Sequence, residues 1–395
     1  MPGPHHVLLV PGFFGFANLG DFAYFGHVHD FLAERGRELG LDGEVAVVTT
    51  VPTASLRKRA ALLAETIAAL VDRTGGVVSI VGHSSGGLDA RLVLTPDVHL
   101  PTELAVERCA ERVCSVVTVA TPHFGTPVAN VFSSLLGQQL LKALSLATMY
   151  ALRAGRLPIR AVLRLGRLVR GRERAPGFLL EQLFTDLLSD FTRDRRRAIE
   201  TFFRSAGSDQ DLLPQITPAG MDAVNASTQD RPGVRYGCIV TRARPPGVRS
   251  FVAAGLGPYA QATHAIYVGL YRLAAGTPRD RAPRLSRAQA EALTRAYGRL
   301  PDLRANDGMV PTLSQVWGEV IAAVWADHHD VIGHFDHPTH VPPHFDWLHS
   351  GSGFDRPGFV ATWRAAAEWM AAAAAAFQVR ASRPAAASPG PAGPG

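Results

Sequence analysis

The chain has 395 residues, of which 47% are apolar and 19% are charged, and its formal net charge is +6 at pH 7. This composition predicts a globular protein with a large core and excludes a wholly disordered chain. The positive charge comes almost entirely from arginine, since Lys58 and Lys142 are the two lysines. No nucleic-acid motif or interleaving of basic and aromatic residues accompanies the charge, so nucleic-acid binding is not predicted.

The ends and the cysteines carry no sign of export or membrane insertion. No run of about 18 uninterrupted apolar residues is present. The opening MPGPHHVLLVPGFFGF lacks the positively charged start of a signal peptide. The sequence therefore predicts a cytoplasmic protein without a transmembrane segment. The three cysteines, Cys109, Cys114 and Cys238, have no metal-binding spacing and are expected to be core thiols.

Short apolar runs alternate with helical patterns along the first 120 residues. The predicted strands are residues 6–10, 44–51, 77–81 and 113–119, and the predicted helices between them are residues 31–39 and 56–73. This alternation predicts a mostly parallel central sheet flanked by helices, because parallel strands need crossover connections. The strands are almost continuously apolar, as expected when helices cover both faces of the sheet.

A Gly-His-Ser-Ser-Gly segment at residues 82–86 directly follows the third predicted strand. It matches the G-x-S-x-G pattern, in which a sharp strand-to-helix turn exposes a serine hydroxyl. Glycines at both ends let the following helix pack against the strand, so that its first amides point toward an oxyanion at the serine. In this context the motif predicts Ser84 as a nucleophile, whereas an isolated pentapeptide would equally fit a plain turn.

From about residue 129 to residue 207 the pattern changes to long helical runs rich in Leu and Arg, which predicts an inserted helical cap. The core then comprises residues 1–128 and 208–380, and residues 381–395 are predicted to be a disordered tail. Six arginines share one face of the cap: Arg153, Arg156, Arg160, Arg164, Arg167 and Arg170. This face fits a solvated cap surface, which is favoured, or transient contact with a membrane or lipid interface.

A nucleophilic serine needs a histidine base, and the histidine needs a carboxylate that fixes its tautomer. In this type of fold the acid and then the base follow the serine along the chain. Asp307, in the turn-rich segment ANDGMVP, is the predicted acid. His328 and His329 directly follow an apolar run at residues 316–325, where the base is expected. Because histidines and aspartates are dense between residues 327 and 349, a metal site is an alternative.

Two backbone amides are predicted to stabilise the oxyanion. One is the amide of Ser85, the residue after the nucleophile. The other belongs to the loop Pro-Gly-Phe-Phe-Gly at residues 11–15, after the first strand, where Phe13 is the expected donor.

These motifs together resemble the bacterial triacylglycerol lipases and esterases of the α/β-hydrolase superfamily, in particular the group that carries a structural calcium ion. LVPGFFGF is similar to the first strand and oxyanion loop of that family, and GHSSGG is similar to its nucleophile elbow. ATPHFGTP is similar to the segment after its next strand. The strongest similarity lies in ANDGMVPTLSQVWGEVI and ADHHDVIGHF, which match the acid and base loops.

The resemblance implies an α/β-hydrolase fold and selects His328 as the base, with His329 at a variable position. It places Asp330 on a calcium ligand and His334 near a backbone-carbonyl ligand, and calcium prefers such oxygen donors. No cofactor is required for the chemistry, and a structural calcium ion is the one that the resemblance implies. The sequence departs from the family at Pro11, which replaces a histidine, and in the length of residues 242–304, where a second carboxylate ligand is not located.

The predicted reaction is hydrolysis of carboxylic esters through an acyl-enzyme intermediate on Ser84. The Leu-rich cap predicts an apolar acyl pocket, and hence lipids or medium to long acyl esters as substrates. Two alternatives stay open at this point. One is an acyltransferase that uses the same three residues, and the other is a catalytically silent hydrolase-fold module that binds a lipid or a protein partner.

Overall fold

The computed structural model describes residues 3–13, 24–154, 156–169, 176–194, 196–197, 199–201, 211–337, 346 and 348–381. The predicted disordered tail lies outside these residues, except that residue 381 ends the last helix.

A parallel sheet forms the centre of the molecule. Its strands are β1 (His5–Val10), β2 (Val45–Val47), β3 (Val77–His83), β4 (Val113–Val119), β5 (Arg235–Arg242) and β6 (Glu319–Trp325), in the spatial order β2-β1-β3-β4-β5-β6. Every neighbouring pair is parallel, which confirms the predicted sheet. The chain runs from β1 to β2 on one side and then to β3 on the other, so a crevice opens between the carboxyl ends of β1 and β3, where α/β sheets bind ligands.

Helices connect the strands. The helices before β5 are α1 (Gly26–Arg35), α2 (Leu56–Thr74), α3 (Gly86–Val93), α4 (Val106–Ala110), α5 (Pro127–Phe132), α6 (Leu135–Ala154), α7 (Ile159–Val169), α8 (Pro176–Ser189), α9 (Leu212–Gln215) and α10 (Pro218–Ser227). Those after β5 are α11 (Val248–Ala253), α12 (Pro258–Ala274), α13 (Arg287–Tyr297) and α14 (Arg356–Ala381).

Two predicted elements differ from the structure in their extent. The strand predicted at residues 44–51 is limited to Val45–Val47, because β2 is an edge strand that pairs only with β1 and the chain then turns away. The helix predicted at residues 31–39 starts earlier, at Gly26, and ends at Arg35, where Gly36 leads into a short 3-10 turn. The long stretch at residues 242–304 contains α11, α12 and α13.

The central strands are buried on both faces. Every residue of β1, β3 and β4 is buried, and this explains why their sequences are mostly apolar on both faces rather than alternating. Helix α3 packs against β1, β3 and β4, and α14 packs against β3, β4 and β6. The two layers of helices hold the strands rigidly, so that residues at the carboxyl ends of the strands are fixed in position.

Helices α6 and α7 lie between α5 and α8, and α7 packs against α12 of the core and against α6 and α8. Ala161, Val162 and Leu165 on α7 are buried, while Arg164 pairs with Asp186 of α8. The six arginines do not share one helix face, because Arg153 lies on α6 and Arg156 lies in the connection before α7, while Arg170 lies outside the described residues. A solvated basic face on the cap and its contact with a lipid interface both stay predictions. The boundary of the cap near residue 207 lies outside the described residues. Among them, no helix is both long and apolar enough to span a membrane.

Candidate active site

Ser84 occupies a sharp turn between β3 and α3. It is one of the few residues other than glycine with a positive φ, 55°, a conformation that costs energy and occurs mainly where the surrounding structure enforces it. The turn is tight because a side chain at Gly82 would overlap the backbone of Gly87, and a side chain at Gly86 would overlap the carbonyl of Val10. The glycines therefore allow α3 to approach both β1 and β3, and Ser84 stays partly exposed at the crevice.

Asp307 and His328 form a hydrogen-bonded pair although 21 residues separate them. Nδ1 of His328 donates to Oδ2 of Asp307 at 2.9 Å, and both side chains are almost fully buried. The amide of His328 also donates to the carbonyl of Asp307. Because Nδ1 carries the proton of this bond, Nε2 of a neutral His328 is left as an acceptor.

Three further elements hold the carboxylate of Asp307. Oδ1 accepts hydrogen bonds from the amides of Met309 and Val310, at 2.9 and 2.7 Å. Oδ2 accepts from the hydroxyl of Thr241 at 2.8 Å and from Nε2 of Gln315 at 3.2 Å. Both oxygens thus face donors only, and these hydrogen bonds hold the carboxyl group oriented toward His328. Sequence reasoning missed Thr241 and Gln315.

His83 connects the nucleophile turn to the histidine loop. Its Nε2 donates to the carbonyl of His328 at 2.9 Å, its Nδ1 accepts from the hydroxyl of Tyr24 at 2.6 Å, and its ring lies 4.7 Å from the ring of His328 between centroids. Burial lowers the pKa of His83 well below its usual value, and the neighbouring His328 lowers it further. A neutral His83, which directly precedes Ser84 in the chain, therefore ties the backbone of His328 to the nucleophile turn.

The loop after β1 lies against the nucleophile. A side chain at Gly12 would overlap Cβ of Ser84 at 2.5 Å, so the backbone of the predicted oxyanion loop directly contacts the turn. A fully buried ion pair supports this arrangement. Arg59 on α2 binds Asp89 on α3 at 2.7 Å and donates to the carbonyl of Pro11 at 2.7 Å. Burial raises the pKa of Asp89, and Arg59 opposes that rise.

Phe13 and Ser85, the two predicted oxyanion donors, are both buried beside this contact. Ser85 precedes the first residue of α3, where backbone amides have no partner within the helix. Residues 14 and 15 of the same predicted loop lie outside the described residues.

Three buried carboxylates flank the base. Asp327, Asp330 and Asp346 each offer an oxygen, and these oxygens lie within 4.8 Å of one another. Oδ2 of Asp327 is buried and has no hydrogen-bond partner among the described residues. Burial raises the pKa of all three groups, that of Asp346 to about 8. Like charges this close destabilise one another unless a cation lies between them, and oxygen donors of this kind fit calcium.

The other histidines of the cluster have separate environments. His329 is buried, with its ring perpendicular to that of His328, and burial lowers its pKa well below the usual value. His334 is buried, and its Nε2 donates to the carbonyl of Tyr24. Burial alone would lower the pKa of His349, but Asp346 and then Asp336 raise it to about 9. His340 and His344 lie outside the described residues.

Part of the chain is similar in sequence to a known protein family, and its structure is similar to those of two lipases. Residues 53–156 match a protein family described as "Putative serine esterase (DUF676)", and no protein of curated function matches the chain in sequence. The structure is similar to that of the Staphylococcus hyicus lipase, with 16% identity and a TM-score of 0.53, over 95% of this chain and 98% of that chain. It is also similar to lipase 1 from Pelosinus fermentans, with 18% identity and a TM-score of 0.50, over 84% of this chain and 94% of that chain. The fold is that of the α/β-hydrolases.

The similarities in structure and in sequence carry different information about this chain. The structural similarity shows the fold alone, because the sequence identities are low. The family match supports ester hydrolysis at a general level. It includes Ser84 but ends before Asp307 and His328, so the roles of these three residues stay predictions.

Proposed function

We propose that this α/β-hydrolase cleaves carboxylic esters through an acyl-enzyme intermediate on Ser84. The observation that carries the proposal is the buried hydrogen bond between Asp307 and His328, with His328 linked through His83 to a serine held at positive φ. A serine in a sharp turn, a histidine and a buried carboxylate form the combination that activates a hydroxyl for acyl transfer.

In the proposed reaction, Nε2 of His328 takes the proton of the Ser84 hydroxyl while Oγ attacks the ester carbonyl carbon. The amides of Phe13 and Ser85 donate to the resulting oxyanion. When the intermediate collapses, the bond to the alcohol oxygen breaks and His328 returns the proton to the leaving alcohol. Water then repeats the sequence on the acyl-enzyme and releases the acid. Asp307 stays ionised and stabilises the imidazolium ion in both halves.

The proposed substrates are lipids or other esters with medium to long acyl chains. This part rests on the apolar character of the cap. A cavity of about 1100 Å³ lies between α6 and α8, with Leu180, Phe184 and Leu188 among its lining residues. Its lining also includes the charged residues Lys142, Glu181 and Arg196, and none of its lining residues belongs to the proposed active site. The substrate proposal therefore rests on the apolar helices of the cap rather than on this cavity.

The test is hydrolysis of p-nitrophenyl esters from acetate to palmitate by the native chain and by Ser84→Ala. We expect activity that Ser84→Ala abolishes and that Ser133→Ala, an exposed serine at the end of α5, retains. The preferred chain length tests the substrate proposal. Absence of hydrolysis together with transfer of the acyl group to an added alcohol would indicate an acyltransferase. Absence of both reactions would indicate a silent binding module.

We also propose that Asp327, Asp330 and Asp346 hold a structural calcium ion, as in the calcium-bearing group of bacterial lipases. The unpartnered oxygen of Asp327 and the raised pKa values of the three carboxyls support this proposal. Such an ion would supply positive charge that braces the loop around His328, since Asp327 directly precedes the base.

Calorimetric titration of the metal-free protein with Ca²⁺ and Mg²⁺ tests the calcium proposal separately from catalysis. We expect Ca²⁺ to bind and to raise the melting temperature, and Asp346→Asn to weaken that effect. An unchanged melting temperature in Ca²⁺ and in a chelator would contradict the proposal.

A further inference from the structure

Arg242 is a buried cation that has no anionic partner among the described residues. It is the last residue of β5 and is only 4% exposed. Its Nε and Nη1 atoms are buried and have no hydrogen-bond partner in the described part of the chain. Side chains alternate along a strand, so Thr241 faces Asp307 while Arg242 faces the opposite side with Cys238 and Val240. The proposed reaction makes no use of Arg242.

Two aromatic rings partly compensate the buried charge. The guanidinium carbon of Arg242 lies 4.7 Å from the ring centre of Trp325 and 5.5 Å from that of Tyr297. Contacts of this kind involve the face of the cation and leave its N–H groups unsatisfied. An unpaired buried charge destabilises a protein unless an acceptor of opposite charge binds to it. The buried charge of Arg242 therefore favours an anion in the cleft that it lines.

The surroundings of Arg242 are strongly basic. It lines a cleft of about 750 Å³ together with Arg244, Arg249 and Arg299, and no acidic residue is among the described residues that line it. A second cleft of about 560 Å³ shares Arg242 and Arg299 and adds two more arginines and Asp302.

The single carboxylate of the second cleft does not balance this charge. Oδ1 of Asp302 already accepts hydrogen bonds from the amides of Arg304 and Ala305. The two clefts share Arg242, Pro245 and Arg299, so the arginines that line them surround one continuous region.

We propose that the cleft at Arg242 is a binding site for a phosphoryl group, separate from the proposed active site. A phosphoryl group carries two negative charges and several acceptor oxygens, and planar guanidinium groups bind such oxygens in pairs. A single carboxylate would leave most of these donors unsatisfied. The group belongs to a soluble phosphate ester or to a phospholipid headgroup, and these sources share the same recognition chemistry.

Calorimetric titration of the full chain with inorganic pyrophosphate and with glycerol 3-phosphate provides the first arm of the test. Flotation with phosphatidylglycerol vesicles provides the second. The variants are Arg242→Met, which removes the buried anchor, and Arg299→Gln, which changes an exposed position and should leave folding unchanged. Arg57→Gln on α2 is the control, because it removes the same charge from an exposed position that lines neither cleft.

We expect saturable binding that Arg299→Gln weakens about tenfold, since a lost hydrogen bond to a charged group corresponds to roughly one decade in the binding constant. Arg57→Gln should bind as the native chain does. Binding of the soluble compounds would identify a phosphate-ester site, and binding of vesicles alone would identify a headgroup site. The proposal is overturned if no probe binds, if Arg299→Gln binds normally, or if Arg57→Gln loses as much affinity. Because the readout is binding, it is independent of ester hydrolysis.

Discussion

Replacing Asp307 with asparagine gives the sharpest test of the proposed chemistry. In the native chain both carboxylate oxygens accept hydrogen bonds, Oδ1 from two backbone amides and Oδ2 from His328, Thr241 and Gln315. The amide nitrogen of the introduced asparagine would have to face donors on one of these two sides. The backbone N–H groups of Met309 and Val310 can only donate, so the amide oxygen of the asparagine should stay on their side. Its NH₂ group then faces His328, and Nδ1 of His328 must accept a hydrogen bond from it.

The change of tautomer determines the expected magnitude. With Nδ1 as the acceptor, Nε2 of His328 carries the proton and cannot accept one from Ser84. In triads of this kind the wrong tautomer lowers kcat about 10⁴-fold, which corresponds to a barrier higher by about 5 kcal/mol. Substrate binding should change little, because Asp307 is fully buried behind His328.

The assay is kcat and KM on the best p-nitrophenyl ester, with the melting temperature as a check on folding. Asp302→Asn is the matched control, because Asp302 caps two backbone amides of the same loop and an asparagine oxygen can do the same. A folded Asp307→Asn variant whose kcat stays within about tenfold of the native value, a barrier change of only about 1.4 kcal/mol, would refute the proposed role of Asp307.

Three further predictions concern residues outside the hydrogen-bonded pair. Burial lowers the pKa of His5 to about 4. As the pH falls, the His5 side chain is therefore protonated in the unfolded chain before it is protonated in the folded one. This difference should lower the free energy of unfolding by about 3 kcal/mol between about pH 6.5 and about pH 4. Urea unfolding at neutral pH and near pH 4 should show that His5→Gln loses less free energy of unfolding than the native chain does. An equal loss in the two proteins would contradict this prediction. Arg59→Leu leaves the buried carboxylate of Asp89 unpaired and should lower the free energy of unfolding by about 3–5 kcal/mol. The control Arg73→Leu breaks an exposed ion pair and should lower it by less than about 1 kcal/mol. Similar losses for the two variants in denaturant unfolding would argue against this account. Gly12→Ala adds a methyl group that would overlap Cβ of Ser84. Because small displacements in an active site lower the rate strongly, kcat from initial rates should fall by at least about tenfold. An unchanged kcat would mean that the loop moves aside freely.

The parts of the fold that follow from local pattern could be predicted from the sequence. Strands β1, β3 and β4 are mostly apolar because they are buried on both faces, and the turn at Ser84 follows from its flanking glycines. The order of acid and base loops after the late strands predicts a contact of Asp307 with His328 or His329, and the resemblance to bacterial lipases selects His328.

The partners of these residues could not be predicted, because the contacts depend on packing rather than spacing. Thr241 and Gln315 resemble ordinary polar residues at the end of a strand and in a turn, and only the folded chain brings both to Asp307. Asp346 lies well after Asp330 in the chain and follows no fixed ligand spacing. An arginine such as Arg242 is normally exposed, so its burial was not expected.

The end of β5 links the two proposed sites. Thr241 and Arg242 are neighbours in sequence, yet alternation along the strand directs the first to the acid of the active site and the second to the basic cleft. The loop before Asp307 also lines the second cleft through Ala305, whose amide is held by Asp302. A ligand that ordered this loop would therefore act on the element that fixes the acid. Because Asp307 is held by hydrogen bonds from both its own loop and Gln315, we expect such an effect on kcat to be small compared with the loss in Asp307→Asn.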